Sequence, residues 1–341
     1  MTTADLNCPV FIIGCPRSGN TLLGCILNKH PDFLIFFEQN LFNALYRRWE
    51  YRVRHGDDPH DVFLALTERF CSDVLGAANV DLASYHAAVR NTSIDWQSLL
   101  NEFAATTMAA GKPSSRRFGD KTPHHLARVD IILNHYPEAK FLFVYRDPRD
   151  TVYSMTKPSF SYTSDNPILN AYVVENYYNT FRQHLEDGLP DNILKVCYED
   201  LVRTPEEETR RICDFLDVAF TPSMLEAEEG GIQALVGAGW VGYKGWGEVQ
   251  PQPSSKKNPL KDHPIINWML SEWIQQLGYD YMASAPGFAK RTRAGLETFP
   301  LRLQEKIFQI PWRWKYPQFS PFLLEKPVSS RMMKSWLLGG E

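Results

Sequence analysis

The chain has no run approaching the ~18 consecutive apolar residues that a membrane-spanning helix needs, although 44% of its 341 residues are hydrophobic. No spanning helix is therefore expected, and the length suits one large domain or two. Its six cysteines (8, 15, 25, 71, 197 and 213) form no Cys-x-x-Cys pair and no His/Cys cluster at zinc spacing. They read as reduced core thiols, and no metal site is expected. His124 and His125 are adjacent, so on a helix they diverge and make a poor chelate. Met1–Asp5 has no basic residue before the first apolar strand, so no secretory signal is expected. With reduced thiols, that points to a cytoplasmic protein. Positive charge is outnumbered over most of the chain. The net charge is −4, yet residues 287–341 carry ten Lys/Arg against four Asp/Glu, leaving −10 for the rest. An anionic ligand must then be held by local cations and not by a global field, and a nucleic-acid partner is not expected.

What is present begins with Phe11-Ile12-Ile13-Gly14-Cys15-Pro16-Arg17-Ser18-Gly19-Asn20-Thr21-Leu22-Leu23: an apolar strand, a glycine-bounded turn and a helix start. Such a turn gathers backbone N–H groups at a helix N-terminus and makes an anion site. The spacing Gly14-x-x-x-x-Gly19 is that of a nucleotide-hydrolysing P-loop, but Asn20 stands where that loop needs lysine. Its cation is Arg17, inside the turn. The Cys-x5-Arg phosphatase loop fails by count, because the position six after Cys15 is Thr21.

A second segment, Phe141-Leu142-Phe143-Val144-Tyr145-Arg146-Asp147-Pro148-Arg149-Asp150-Thr151-Val152-Tyr153-Ser154, reads as a buried strand, a turn and a helix. An arginine fork at a strand end suits phosphate oxygens, and Ser154 adds a hydroxyl donor.

Together these motifs resemble the sulfotransferases that use 3′-phosphoadenosine 5′-phosphosulfate (PAPS). Pro16, Arg17, Ser18, Gly19, Asn20, Thr21 and Leu22 look like the 5′-phosphosulfate loop in its Pro-Arg-Ser-Gly form, with Asn20 departing from the commoner threonine. Arg146 and Ser154 match the 3′-phosphate signature. The resemblance covers about residues 9–282 and implies sulfuryl transfer to a hydroxyl by in-line displacement, releasing adenosine 3′,5′-bisphosphate. Arg17 would then stabilise the leaving phosphate oxygen. Lys121, in Gly119-Asp120-Lys121-Thr122-Pro123, lies 25 residues before Arg146, close to the place of a catalytic lysine in the tyrosylprotein enzymes. The plain alternative is a surface lysine paired with Asp120. Glu38 falls 21 residues after Arg17, the spacing of those enzymes' catalytic glutamate, and its aromatic neighbours Phe36 and Phe37 suit a partly desolvated base. Its plain alternative is a helix cap. His124 is the second candidate base, although Pro123 occupies the position that the cytosolic members' histidine would take. Tyr198 is implied as an adenine wall. Lys244, Gly245 and Trp246 are implied as a late loop over the 3′-phosphate.

Alternating strands (about 9–14, a short one within 117–123 that ends in a loop, 141–145 and 193–198) and helices predict an α/β fold, a P-loop-type parallel sheet flanked by helices. Helices are expected over Ser18–Lys29, His124–Tyr136, Pro167–Leu185 and a stretch to Leu216 opened by a capping box at Thr204-Pro205-Glu206-Glu207. Residues 41–115 read as a helical insertion covering the site on the acceptor side, and 157–166 as a mobile loop. The sulfotransferase domain would span 1–286, and 287–341 is a basic aromatic extension suited to its own domain, a second copy or an anionic membrane surface. The acceptor is open: a small molecule, lipid, sugar or peptide hydroxyl. A P-loop kinase is the alternative enzyme, lacking its lysine at position 20. A non-catalytic nucleotide-binding module is the other alternative, and it would have no use for Lys121 and Glu38.

Overall fold

The computed structural model describes residues 6–157, 165–186, 190–226, 258–281 and 286–299. Lys244, Gly245, Trp246, most of the expected 157–166 loop and the tail from 300 onward lie outside the described residues. The chain divides into two compact units, one of residues 1–146 and 179–256, the other of 147–178 and 257–341.

The first unit is built on a five-stranded sheet: β1 (Val10–Gly14), β2 (Phe33–Phe37), β3 (Arg117–Lys121), β4 (Lys140–Tyr145) and β5 (Ile193–Cys197). The order is β2-β3-β1-β4-β5 and every pairing is parallel. The α/β expectation holds. Strand β2 adds to it: Phe33-Leu34-Ile35-Phe36-Phe37 is buried throughout, so it shows no polar alternation to betray a strand. Alternate residues face opposite sides. Val10, Ile12, Ile35, Leu142 and Val144 pack with Leu23, Ile26 and Leu27 of α1 (Asn20–Lys29). Phe11 faces the other way, onto Phe42, His125 and Phe141, while Phe36 meets Phe103 and Phe118.

Helix α1 stops where expected, at His30, whose extended backbone (φ −70°, ψ 136°) is what a following proline demands. Between β2 and β3 come a π-helical turn (Leu41–Leu45), α2 (Tyr46–Arg54), α3 (Pro59–Phe70), α4 (Ser72–Ala77), α5 (Leu82–Arg90) and α6 (Trp96–Gly111). Asp58, Asp81 and Asp95 each cap the next helix by accepting from the N–H three residues on. Five aromatic residues of this insertion, Phe42, Phe63, Tyr85, Trp96 and Phe103, are fully buried. They form core, not an open acceptor lining.

Three local expectations change. Pro123–Arg128 is a 3-10 helix and only Val129–His135 (α7) is α-helical. Tyr198 does not end the strand; it opens the short helix of Tyr198–Arg203. Thr204 precedes the helix of Pro205–Phe215 without a side-chain cap, and its hydroxyl instead donates to Asp200 O at 3.3 Å. The preceding helix offers that carbonyl one turn back, which defeats the capping box.

In the second unit, the helix of Pro148–Met155 carries Ser154 and starts at Asp147, whose carboxylate accepts from Arg149 N. The Arg149 guanidinium returns two bonds to the same carboxylate, at 3.0 and 2.8 Å. The helices of Pro264–Met269 and Ser271–Gln276 lie in this unit with residues 288–299, where Ala294 packs with Ile168 and Ile265. Phe288, Leu296 and Phe299 stay exposed.

Candidate active site

Register brings the candidate residues of the first unit to one edge. Ile12 pairs with Lys121, Phe37 pairs with Lys121, and Gly14 pairs with Val144. The turn after β1, the loop after β2, the end of β3 and Arg146 after β4 therefore all leave the C-terminal edge of the sheet, where ligands of parallel α/β sheets bind.

The turn after β1 is closed from within. Ser18 N donates to Cys15 O at 3.3 Å and Asn20 Nδ2 donates to the same carbonyl at 2.8 Å. Asn20 thus spends its amide on bracing the turn. Gly14 (φ 142°) lies so near β4 that a Cβ would come within 2.4 Å of Val144 O. Gly19 (φ 105°) precedes α1 with no side-chain cap, which leaves the first-turn N–H groups of Asn20, Thr21 and Leu22 aimed at the turn. Ser18 Oγ is buried with no hydrogen-bond partner among the described residues. Such a hydroxyl costs ~1–3 kcal/mol to leave unsatisfied, and an oxyanion at the helix terminus would satisfy it. The residues fit a phosphosulfate. Pro16 and the Leu22 side chain are buried, so they contribute packing, and Leu22 contributes its N–H.

Tyr198 joins this turn to Arg146. Its ring lies 2.3 Å from where a Gly19 Cβ would sit, and the Arg146 Cζ stands 4.5 Å from its centroid. The two expected phosphate contacts of the first unit are thus neighbours. Ser154 lies on its helix in the second unit, and its expected role rests on the motif alone.

Glu38 and Lys121 form an ion pair, Nζ to Oε1 at 2.7 Å, with the lysine side chain 1% exposed and the glutamate 31%. Lys121 is no surface residue, and the carboxylate at hydrogen-bond distance from it is that of Glu38; its strand neighbour Asp120 leaves on the opposite face. The Lys121 ammonium also sits 5.1 Å from the Phe37 ring centroid. No side chain caps the turn that follows Glu38. Arg17 (φ 72°) and Glu38 (φ 55°) are the two positive-φ residues outside glycine, Asn and Asp among the described residues. Long side chains adopt this conformation rarely, and it concentrates at functional sites.

Burial pushes the His124 imidazole down to about 4, with Glu38 opposing and Arg128 and Lys121 adding to the fall. It is neutral at pH 7 and a weak base. Burial likewise holds His125 at about 3. His125 Nε2 accepts from Phe42 N at 3.2 Å, which puts its proton on Nδ1, 3.7 Å from Asp120 Oδ2. Asp120 is pushed up to about 7 by burial, opposed by the N–H of Leu41 and the Thr122 hydroxyl. Sequence reasoning passed over Asp120 and set His125 aside as a chelator. The available signal was a carboxylate inside an otherwise apolar strand. Among the described residues no cluster of three or more His, Cys, Asp or Glu could hold a metal ion.

Residues 9–222 match the model of the sulfotransferase family. A putative protein-tyrosine sulfotransferase of Caenorhabditis briggsae is 23% identical over 295 residues, covering 82% of this chain and 92% of its own. The protein-tyrosine sulfotransferase of Drosophila melanogaster is 27% identical over 306 residues, covering 82% of this chain and 53% of its own. Among solved structures, the sulfotransferase domain of the Synechococcus PCC 7002 olefin synthase shares the fold with a TM-score of 0.51 at 20% identity, over 81% of this chain and 96% of that one. With the family matched over more than half of its length, this chain belongs to the sulfotransferase family, enzymes that transfer a sulfuryl group from PAPS.

Proposed function

We propose that this enzyme sulfates a hydroxyl acceptor, with a tyrosyl hydroxyl first in line, and that Glu38 is its proton acceptor. PAPS supplies the sulfuryl group together with a good leaving group. The Ser18–Leu22 turn and the N-terminus of α1 hold the phosphosulfate end. Arg17, which keeps its charge at any working pH, faces the growing negative charge on the leaving phosphate oxygen. Lys121 brings a buried ammonium to the sulfuryl oxygens. Glu38 takes the proton of the attacking hydroxyl. Arg146 takes the 3′-phosphate, a role that the motif gives to Ser154 as well, and Tyr198 braces Arg146 as well as facing the adenosine.

One observation carries this reading: the 2.7 Å Lys121–Glu38 pair at the same sheet edge as the Arg17 turn. A binding module has no need of a buried lysine held against a half-exposed carboxylate. His124 is the poorer base because burial lowers its proton affinity. Tyrosine as acceptor is supported by the names of the relatives. The test is incubation with radiolabelled PAPS and a panel of tyrosyl peptides, phenols, sterols and sugars. Transfer to a tyrosyl peptide is expected. Tight binding of adenosine 3′,5′-bisphosphate with no transfer to any acceptor would favour the module instead.

A further inference from the structure

We infer that Asp120 is a positioning residue, which clamps the loop after β2 and so sets Glu38 against Lys121. Its catalytic consequence rests on the reading of Glu38 as the proton acceptor. Four N–H groups of that loop are held by the β3 end and the turn after it. Glu38 N donates to Lys121 O at 3.0 Å, Asn40 N to Thr122 Oγ1 at 3.3 Å, Leu41 N to Asp120 Oδ2 at 3.3 Å and Phe42 N to His125 Nε2 at 3.2 Å. Asp120 governs two of the four. Its Oδ2 receives Leu41 N directly, and it receives the Thr122 hydroxyl proton at 3.0 Å. A threonine has one such proton; giving it to Asp120 turns the oxygen's lone pairs toward Asn40 N.

The loop needs a clamp because Glu38 is strained. It is left-handed (φ 55°), at ~1–2 kcal/mol for an ordinary residue, whereas Asn40 (φ 54°) adopts that conformation readily. The local supports, Asn40 Nδ2 to Glu38 O at 2.7 Å and Gln39 Nε2 to Phe37 O at 2.9 Å, tie the loop only to itself. Asp120 and Thr122 tie it to the strand that carries Lys121. Asp120 is fully buried, so it acts through Glu38 and touches no substrate.

The experiment compares Asp120→Leu, Asp120→Asn and Thr122→Val in the full chain. Asp120→Leu lowers kcat about 100-fold, the cost of a small misplacement, while binding of adenosine 3′,5′-bisphosphate is unchanged. Asp120→Asn keeps an acceptor oxygen and recovers most of the loss. Amide exchange of the 38–42 segment rises in Asp120→Leu and not in Asp120→Asn. In a Glu38→Gln background, Asp120→Leu costs little more. Unchanged exchange in folded Asp120→Leu, or an equal loss in both backgrounds, overturns the inference. Should Asp120→Leu not fold, Thr122→Val reads the same clamp: exchange at Asn40 rises with it, and an unaltered rate of exchange overturns the inference. Full activity of Glu38→Gln would instead sink the base assignment, with the exchange result still deciding the clamp.

Discussion

The turn after β1 and the loop after β2 leave the same sheet edge but are held by different means. The donor turn closes on itself: Ser18 and Asn20 both bond to Cys15 O, within six residues. The Glu38 loop is held mostly across some 80 residues of sequence, by Lys121 O, Thr122 and Asp120. A self-closed turn preserves its anion site wherever its short sequence appears. A loop clamped from another strand is as accurate as the packing between the strands, and it can be retuned without touching the donor site. On the proposed assignment, the donor-binding end is local and the proton-transfer end is tertiary.

The largest effect that would sharpen this contrast is at Lys121. Lys121→Met should lower kcat by about 100- to 1000-fold, as for loss of one stabilising charge at a reacting centre, with binding of adenosine 3′,5′-bisphosphate measured by calorimetry unaltered. Weakened binding would move Lys121 to the donor side. Next comes Gly19→Ala, which meets both a left-handed φ of 105° and the Tyr198 ring. Strain of ~1–3 kcal/mol weakens nucleotide binding by about 10- to 100-fold, while the residual kcat stays near normal. A smaller loss is expected from Tyr198→Leu, which removes the ring under Arg146: about tenfold weaker binding at most. If binding were untouched, Tyr198 would not be joining the two phosphate contacts.

The smallest effect concerns stability against pH. His124 and His125 have folded values of about 4 and about 3, below the ordinary histidine range. The unfolded chain therefore binds more protons as pH falls below about 6.5, and stability drops from there towards pH 4. Asp120, at about 7, has the opposite sign: it favours the fold at low pH and loses that contribution as pH rises from about 4 through 7. With two groups against one, the urea midpoint should fall on acidification from pH 6.5, and less so in His125→Asn. A midpoint that rises on acidification would mean that the histidines are not held neutral.

The same contrast explains what was legible in the sequence. Arg17, Ser18, Gly19 and the Arg146 strand end belong to contiguous motifs, so order and spacing revealed them, and with them the parallel sheet. Spacing within a resemblance singles out Glu38 and Lys121 as candidates, but not their mutual contact, because nothing local says that Phe37 lies in register with Lys121. Strand β2 escaped notice because burial on both faces erased its alternation. Asp120 was overlooked because its partners are backbone N–H groups in a distant loop, which leave no pattern of residue types. Thr204 misled for the converse reason: its local signature was right, but Asp200 O competed for its hydroxyl.

The most direct test of the account is the rate of sulfuryl transfer from radiolabelled PAPS by Glu38→Gln, followed in a single turnover beside calorimetric binding of adenosine 3′,5′-bisphosphate. Nucleotide binding should equal that of the parent enzyme, and transfer should be at least about 100-fold slower, the usual share of a general base. Transfer at the parental rate, with binding intact, would contradict it.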